Sequence, residues 1–267
     1  MPEKILVEHQ NTVIEISLNR PDKRNAMDID MVNEIMAALD DAERAFNEGT
    51  ARSIIIRAEG RAFSSGIDLE WFMNNVNQYG ERWRDNLFPM TADLQALMNK
   101  IERHSLPVIC VMHGYCLGMS FELALACDIR IAAERTRMGL PESRLGIIPD
   151  VGGTTRLLNL VGVARAKELI MTGRHFETAD AEKWGVVNYV VPKQEALPKA
   201  RELAEELALS APLAVSYSKR VINDMLENPR KLHIEAWAQA RLIQTQDFEN
   251  GVQAMLTKTY PVKWEGK

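Results

Sequence analysis

The sequence predicts an α/β protein whose sheet strands run largely parallel. Two short apolar runs rich in β-branched residues, RSIIIRA (52–58) and PVICVMHG (107–114), are bounded by Gly or Pro and predict buried strands. Segments with helical spacing of apolar residues alternate with such runs along the chain. This alternation favours an α/β core, because helices then cover a mostly parallel sheet.

The first half opens with a strand pair. Residues 4–18 alternate apolar and polar side chains around a Gln-Asn turn, which predicts a hairpin. Apolar residues from Met31 to Phe46 then recur at near-helical spacing, and Gly49 follows as a stop. Residues 70–104 are mostly polar with a helical period, so helical structure is expected between the two buried strands.

The second half repeats the alternation and then becomes helical. From Gln194 onward the apolar spacing is helical throughout. We therefore expect an α/β core over 1–193 and a helical C-terminal region over 194–267 whose apolar faces pack against another subunit. The predicted elements before it are a helix near 121–127, a strand over 128–133, a helix over 154–171 and a strand over 184–192.

Composition excludes several classes of protein. The formal net charge is −5 and there is no long basic run, so the sequence does not predict a basic surface that would bind nucleic acid. No 18-residue apolar run exists, so no membrane partner is expected, and the N-terminus lacks a secretory layout, so the expected location is cytoplasmic. The three cysteines show no CxxC pair or nearby His cluster, which predicts reduced thiols and no metal site.

Two glycine loops follow the two buried strands. In AFSSGIDL (62–69) and HGYCLGMSFEL (113–123), a glycine lets the backbone turn so that the next amide can point outward. Two such amides converging on one point would form an oxyanion hole, and the second loop also enters a helix N-terminus, which favours negative charge. The alternative is a pair of ordinary strand-to-helix turns. Neither loop has the phosphate-binding patterns GxxxxGK[ST] or GxGxxG.

Four motifs in order carry a resemblance to a known family. NRPDKRNAM, AFSSGIDL, GxxxGxxxELALACDIRIA and LPESRLGIIPDVGGTTRL are similar, in sequence and spacing, to the crotonase or enoyl-CoA hydratase/isomerase family. The resemblance covers nearly the whole chain. It implies a crotonase-like spiral of repeated ββα units with a helical C-terminal region.

The resemblance also implies roles for individual residues. The amides of Ile67 and Met119 would bind the thioester oxygen of an acyl-CoA, and Glu122 and Glu142 match the two catalytic glutamates of the hydratases. Asp150 matches the acid/base Asp of dienoyl-CoA isomerases in the family. The positions implied to bind substrate are Arg24 and Ala26, toward the adenine and phosphate end of CoA, and Ser64, Gly66, Asp68, Leu69 and Gly118.

One position departs from the family pattern. Many members have three glycines where this chain has Gly118, Met119 and Ser120. An amide donates whatever its side chain, so the oxyanion hole is expected to survive, but Met119 is expected to narrow the space around the acyl group.

Several of these residues have a simpler interpretation. Glu122 alone would be a first-turn acid favoured by the helix dipole, and Glu142 would pair with Arg144 at the surface. Asp150 also suits a cap for the helix that starts near 153. Asp68 is expected to hold its own loop rather than to react.

Two kinds of nucleophile are not supported by the sequence. His113 and Cys116 lie close together, but no activating arrangement is visible and a buried cysteine is usually inert. Ser64 and Ser65 lack a GxSxG elbow, so a serine hydrolase triad is not indicated.

The leading hypothesis is an enoyl-CoA hydratase that adds water across the 2,3 double bond of a trans-2-enoyl-CoA. The alternatives are a dienoyl-CoA or enoyl-CoA isomerase using Glu142 and Asp150, and a non-catalytic acyl-CoA-binding protein. No metal or redox cofactor is expected, since CoA is part of the substrate. The resemblance implies a homotrimer or homohexamer, in which Lys258 and Trp264 would reach a neighbour's CoA.

Overall fold

The computed structural model describes residues 3–226, 240, 242–260 and 262. The strands are β1 (Ile5–Gln10), β2 (Val13–Leu18), β3 (Ser53–Ala58), β4 (Val108–Met112), β5 (Tyr115–Leu117), β6 (Ile129–Ala133), β7 (Arg137–Gly139), β8 (Phe176–Glu177) and β9 (Tyr189–Val191). The helices are α1 (Ile29–Asn47), α2 (Leu69–Tyr79), α3 (Leu87–Arg103), α4 (Met119–Ala126), α5 (Gly153–Thr172), α6 (Thr178–Lys183), α7 (Ala196–Ala208), α8 (Pro212–Leu226) and α9 (Gln246–Thr257).

The main sheet has six strands in the order β1-β2-β3-β4-β6-β9. Strands β1 and β2 form the predicted antiparallel hairpin, and every later pairing in this sheet is parallel. Parallel strands need crossover connections, which α1, the α2–α3 segment and α4 supply between successive strands. The predicted α/β class with a largely parallel sheet is therefore confirmed.

Both faces of the main sheet are covered at its centre, which explains why β4 is apolar along its whole length and β3 carries three consecutive isoleucines. In β3, Ile54 and Ile56 point to the larger core, which also includes residues of α1, α3 and α4. The intervening Ile55 points to the opposite face, where it packs with Ile109 and with Leu203 of α7. Helix α7 therefore covers one face of the sheet. The boundary between the α/β core and the helical C-terminal region, placed between residues 193 and 194, stays a prediction.

A second, three-stranded sheet was missed by the sequence analysis. Its order is β5-β7-β8, and its strands are two or three residues long, too short to show a period. Strand β5 ends at Leu117, and α4 begins two residues later at Met119. The small sheet therefore positions the second glycine loop.

The predicted helices and strands differ from the structure at two places, and a further prediction lies outside the described residues. The strand expected over 184–192 is shorter in the structure and consists of β9 alone. Val186 and Val187 lie buried in the core before this strand begins. Helix α5 is interrupted at Gly162, which has φ 72° and ψ 170°. Residues 227–239 of the helical C-terminal region expected over 194–267 lie outside the described residues, as does Trp264. Lys258 ends α9 in a left-handed conformation.

Among the residues that the structure describes, no helix is both long and apolar enough to cross a membrane.

Candidate active site

The two glycine loops lie side by side. The amide of Ser64 donates to the carbonyl of Tyr115 (3.0 Å), and the amide of Leu117 donates to the carbonyl of Ser64 (3.3 Å). These bonds form a parallel bridge between Ser64 and Cys116. The loops that the sequence separates by about fifty residues are therefore neighbours in the fold.

Gly66 is the point of closest approach between the loops. A Cβ atom built on Gly66 would lie 2.7 Å from the carbonyl oxygen of Leu117 and 3.6 Å from the amide nitrogen of Met119. The residue also has φ +96°, which L side chains rarely adopt. Glycine is thus required here for both conformation and space, and it brings Ile67 next to the start of α4.

The amides of Ile67 and Met119 point away from their own ladders. Met27 bonds to the groups on either side of Ile67, receiving the amide of Asp68 (2.9 Å) and donating to the carbonyl of Gly66 (2.8 Å). The Ile67 amide therefore points to the other side. Met119 is the first residue of α4, where amides have no intrahelical partner. Neither amide has a protein acceptor within the described part of the chain.

Glu122 is a buried acid on α4 that holds the start of another helix. Only 2% of the residue is exposed. Its Oε1 atom accepts hydrogen bonds from the amides of Val151 (3.1 Å) and Gly153 (2.8 Å), the latter being the first residue of α5. Two amide donors and the positive end of α5 stabilise the charged carboxylate.

Glu142 lies in a different environment. It begins a short 3₁₀ helix, Glu142–Leu145, and its Oε2 atom is buried without a hydrogen-bond partner among the described residues. Burial, reinforced by the negative charge of Asp150, raises the pKa of Glu142 to about 8. Its Oε1 atom lies 3.0 Å from where a Cβ on Gly118 would be. The predicted surface pair with Arg144 is wrong, since Arg144 Nε donates to the carbonyl of Thr172 (2.9 Å).

Asp150 lies in the loop that precedes α5. Its Oδ2 atom accepts a hydrogen bond from the hydroxyl of Thr91 on α3 (2.9 Å). The N-cap residue of α5 is Gly152, and the Gly153 amide is bound by Glu122. The interpretation of Asp150 as the cap of this helix is therefore wrong.

A cavity of about 150 Å³ joins these groups. Its lining is mostly apolar, and its few polar side chains include Glu122, Glu142 and Asp150. A mainly apolar pocket with convergent polar groups is the usual form of a small-molecule site. The predicted residues that line it are Gly66, Ile67, Leu69, Gly118, Met119, Glu122, Glu142 and Asp150.

Four other predicted residues lie outside this lining. The Ser64 hydroxyl donates to the carbonyl of Asn25 (2.7 Å) inside the loop. Asp68 holds its own loop, as expected, by accepting from the amides of Glu70 and Trp71 as the N-cap of α2. Both backbone groups of Ala26 are bonded within the chain, whereas Arg24 is exposed at the surface.

The structure also explains why a Cys-His nucleophile is absent from this site. His113 Nε2 is hydrogen-bonded to the carbonyl of Gly60 (3.0 Å). Cys116 is fully buried, and burial raises the pKa of its thiol well above the usual range. The low reactivity expected for this pair agrees with that environment.

Sequence analysis missed several residues of the site. Ser65, Thr91 and Val151 line the cavity, and so does a wall from the C-terminal segment. That wall could not be found from local pattern, because its residues look like the ordinary apolar face of a helix. They are Ile243, Phe248, Val252 and Met255.

Comparison with known proteins identifies the class to which this fold belongs. A family model described as enoyl-CoA hydratase/isomerase matches residues 8–267. The chain is 35% identical over 260 residues to the crotonyl-CoA hydratase of Syntrophomonas wolfei, covering 96% of each chain. It is 36% identical over 249 residues to the putative enoyl-CoA hydratase/isomerase YngF of Bacillus subtilis, covering 91% of each.

A solved structure agrees with this result. The carnitinyl-CoA hydratase from Mycobacterium avium superposes with a TM-score of 0.85 at 29% identity, covering 100% of both chains. The chain is therefore an enzyme of crotonase fold. It belongs to the enoyl-CoA hydratase/isomerase family.

Proposed function

We propose that this protein is an enoyl-CoA hydratase that adds water to a trans-2-enoyl-CoA. The observation that carries the proposal is the contrast between two acids in one cavity. Glu122 accepts two amide hydrogen bonds, while Glu142 is buried, with one oxygen that has no hydrogen-bond partner among the described residues and a pKa of about 8. A pair of carboxyl groups with opposite environments suits one base and one acid at neutral pH.

The amides of Ile67 and Met119 supply the electrostatic part of the mechanism. In this proposal they donate to the thioester carbonyl oxygen and stabilise the negative charge that develops on it as an enolate forms. The carbonyl is thereby polarised, and C3 of the enoyl group becomes electrophilic. Since these two amides have no acceptor in the part of the chain that the structure describes, they need no rearrangement before they bind the oxygen.

The two glutamates then handle one water molecule. Glu122, as a carboxylate, orients the water and accepts its proton while the oxygen bonds to C3. Glu142, protonated because it is buried, donates a proton to C2, and the product is a 3-hydroxyacyl-CoA. We still predict that the reaction needs no cofactor other than the CoA of the substrate.

A second candidate is a dienoyl-CoA isomerase, and the position of Asp150 favours it. Asp150 lines the same cavity as Glu142, so the two could exchange protons with opposite ends of a conjugated system. The decisive experiment measures turnover of crotonyl-CoA and of a longer dienoyl-CoA by the purified protein. Hydration of crotonyl-CoA supports our proposal. Isomerisation with little hydration favours the second candidate, and binding without turnover indicates a non-catalytic acyl-CoA-binding protein.

A further inference from the structure

Helix α3 carries a row of polar side chains that face the loop before α5. Their spacing of four, four and three residues places them on one side of the helix. All of them form hydrogen bonds with Asp150 or with Arg156. We call this set the polar stripe: it consists of Thr91, Gln95, Asn99 and Glu102.

One end of the polar stripe holds Asp150. The Thr91 hydroxyl donates to Oδ2 of Asp150 (2.9 Å), and Nε2 of Gln95 donates to its backbone carbonyl (2.5 Å). Thr91 is buried, so its bond is shielded from water. Asp150 is therefore attached to α3 through both its side chain and its backbone.

The other end of the polar stripe holds Arg156, which is buried in the first turn of α5. Its guanidinium donates to both carboxylate oxygens of Glu102 (3.1 and 2.8 Å) and to Oδ1 of Asn99 (3.0 Å). The remaining Nη1 atom donates to the carbonyl oxygen of Val151 (3.3 Å). A planar guanidinium group has several N–H donors in fixed directions, so it can bind Glu102, Asn99 and Val151 at the same time.

Val151 is the residue that links Arg156 to Glu122. Its carbonyl accepts from Arg156, and its amide donates to Oε1 of Glu122 (3.1 Å). Between Val151 and α5 lies Gly152, with φ +110°, and glycine leaves the backbone unusually free. A Cβ on Gly152 would lie 1.8 Å from Nη1 of Arg156, so the guanidinium lies directly against this glycine.

We propose that Arg156 is a positioning residue that acts through Glu122. Anchored by the polar stripe, it fixes the junction between the loop and α5, where the amides of Val151 and Gly153 orient the Glu122 carboxylate. The effect on turnover rests on the proposed function of Glu122, whereas the effect on the loop does not. The experiment is designed to separate the two.

The first measurement is the kinetics of Arg156→Lys with crotonyl-CoA. Lysine keeps the charge but cannot reach all three partners, so we expect kcat to fall at least about tenfold with KM within about threefold. The matched control is Arg201→Lys. Arg201 forms another bidentate ion pair, with Glu15 (2.6 and 3.1 Å), on the opposite face of the sheet. The control is expected to keep kcat within about twofold. An unchanged kcat in Arg156→Lys would overturn the proposal.

A double-mutant cycle with Glu122→Gln tests whether the effect passes through Glu122. If it does, Arg156→Lys will lower kcat by less than about threefold when Glu122 is already replaced. An equal loss in both backgrounds would show a general structural role and refute the positioning role. Should Arg156→Lys fail to fold, Glu102→Gln weakens the same anchor at a partly exposed side chain.

A third measurement does not need turnover. Protein labelled with ¹⁵N-glycine carries 15 glycine signals, including that of Gly153, whose amide donates to Glu122. We expect Arg156→Lys and Glu122→Gln to move the Gly153 signal, and Arg201→Lys to leave it in place. An unmoved signal in Arg156→Lys would refute the positioning role even if the protein hydrates crotonyl-CoA. If the wild type shows no hydration, only the proposed function fails.

Discussion

The amide of Gly153 donates a 2.8 Å hydrogen bond to Oε1 of Glu122, and there is no room for a side chain between them. A Cβ on Gly153 would lie 2.7 Å from both Cγ and Oε1 of that glutamate. The backbone at Gly153 is not in the left-handed region, so an alanine could adopt its conformation. The glycine is therefore required for the position of Glu122 and not for the turn.

We accordingly expect Gly153→Ala to displace Glu122 and to lower kcat for crotonyl-CoA by about a hundredfold, since small errors of placement are costly in catalysis. Steady-state kinetics will measure the loss. Val163→Ala, at an exposed position of the same helix, is the control. Activity of Gly153→Ala within about threefold of wild type would contradict the prediction.

Replacing the proposed proton donor tests the mechanism directly. Glu142→Gln keeps the shape of the side chain but cannot supply a proton, so we expect kcat to fall by about 10² to 10⁴. Acyl-CoA affinity, measured by calorimetry with a saturated analogue, should change little. Glu177→Gln, at an exposed acid, serves as control. Hydration within about tenfold of wild type, a loss below about 1.4 kcal/mol, would exclude this role for Glu142.

The same substitution should stabilise the protein at high pH. The pKa of Glu142 is about 8 when folded, above its usual value of 4.5, so its contribution to stability is fully present below pH 4.5 and is lost as the pH rises through about 8. Glu142→Gln removes this dependence. We expect its Tm to match that of wild type at pH 4.5 and to exceed it by an amount that grows up to about pH 8 and is on the order of ten degrees at pH 9. Calorimetry across that range that shows a constant difference would contradict the assignment.

Asp150→Asn separates the two candidate reactions. The Asp150 charge contributes to the raised pKa of Glu142, so removing it should lower that pKa and move the alkaline limit of kcat/KM to lower pH. At pH 6, where Glu142 remains protonated, a hydratase should keep its rate within about threefold. A loss of about a hundredfold or more, together with lost dienoyl-CoA isomerisation, would favour the isomerase.

The apolar face of α8 is expected to form a subunit contact. Leu213, Tyr217, Val221 and Ile222 are 57% to 60% exposed on this helix, and such a surface favours association. We expect the protein to be a trimer or hexamer by light scattering and Val221→Asp to yield smaller species. Val7→Asp, on the edge strand β1, is the control. A monomeric wild type at micromolar concentration would contradict this prediction.

Much of the site could be predicted from the sequence because it depends on local backbone. Gly66 lies in the loop after β3 and Gly118 directly follows β5, and both have the positive φ that glycine adopts readily. Glu122 was conspicuous as an acid within an apolar helix. Each of these features is encoded by a few adjacent residues, so one stretch of sequence is enough to suggest it.

The rest depends on contacts between distant segments. The polar stripe on α3 has the pattern of an ordinary solvated face, and only the fold shows that Arg156 covers it. Glu142 has a raised pKa because of what surrounds it, which its own neighbours in sequence do not indicate. The partner of the Asp150 side chain, Thr91, is 59 residues away.

The apolar wall contributed by α9 has a consequence for biosynthesis. Val252 and Met255 complete the cavity from a position about a hundred residues after Gly153, whose amide donates to Glu122. At about 5 to 20 residues per second, a ribosome needs roughly 5 to 20 seconds to add them. During that interval the nascent chain already has both glutamates and both glycine loops, yet the cavity lacks the side that α9 supplies. The cavity can therefore close only after α9 has been synthesised.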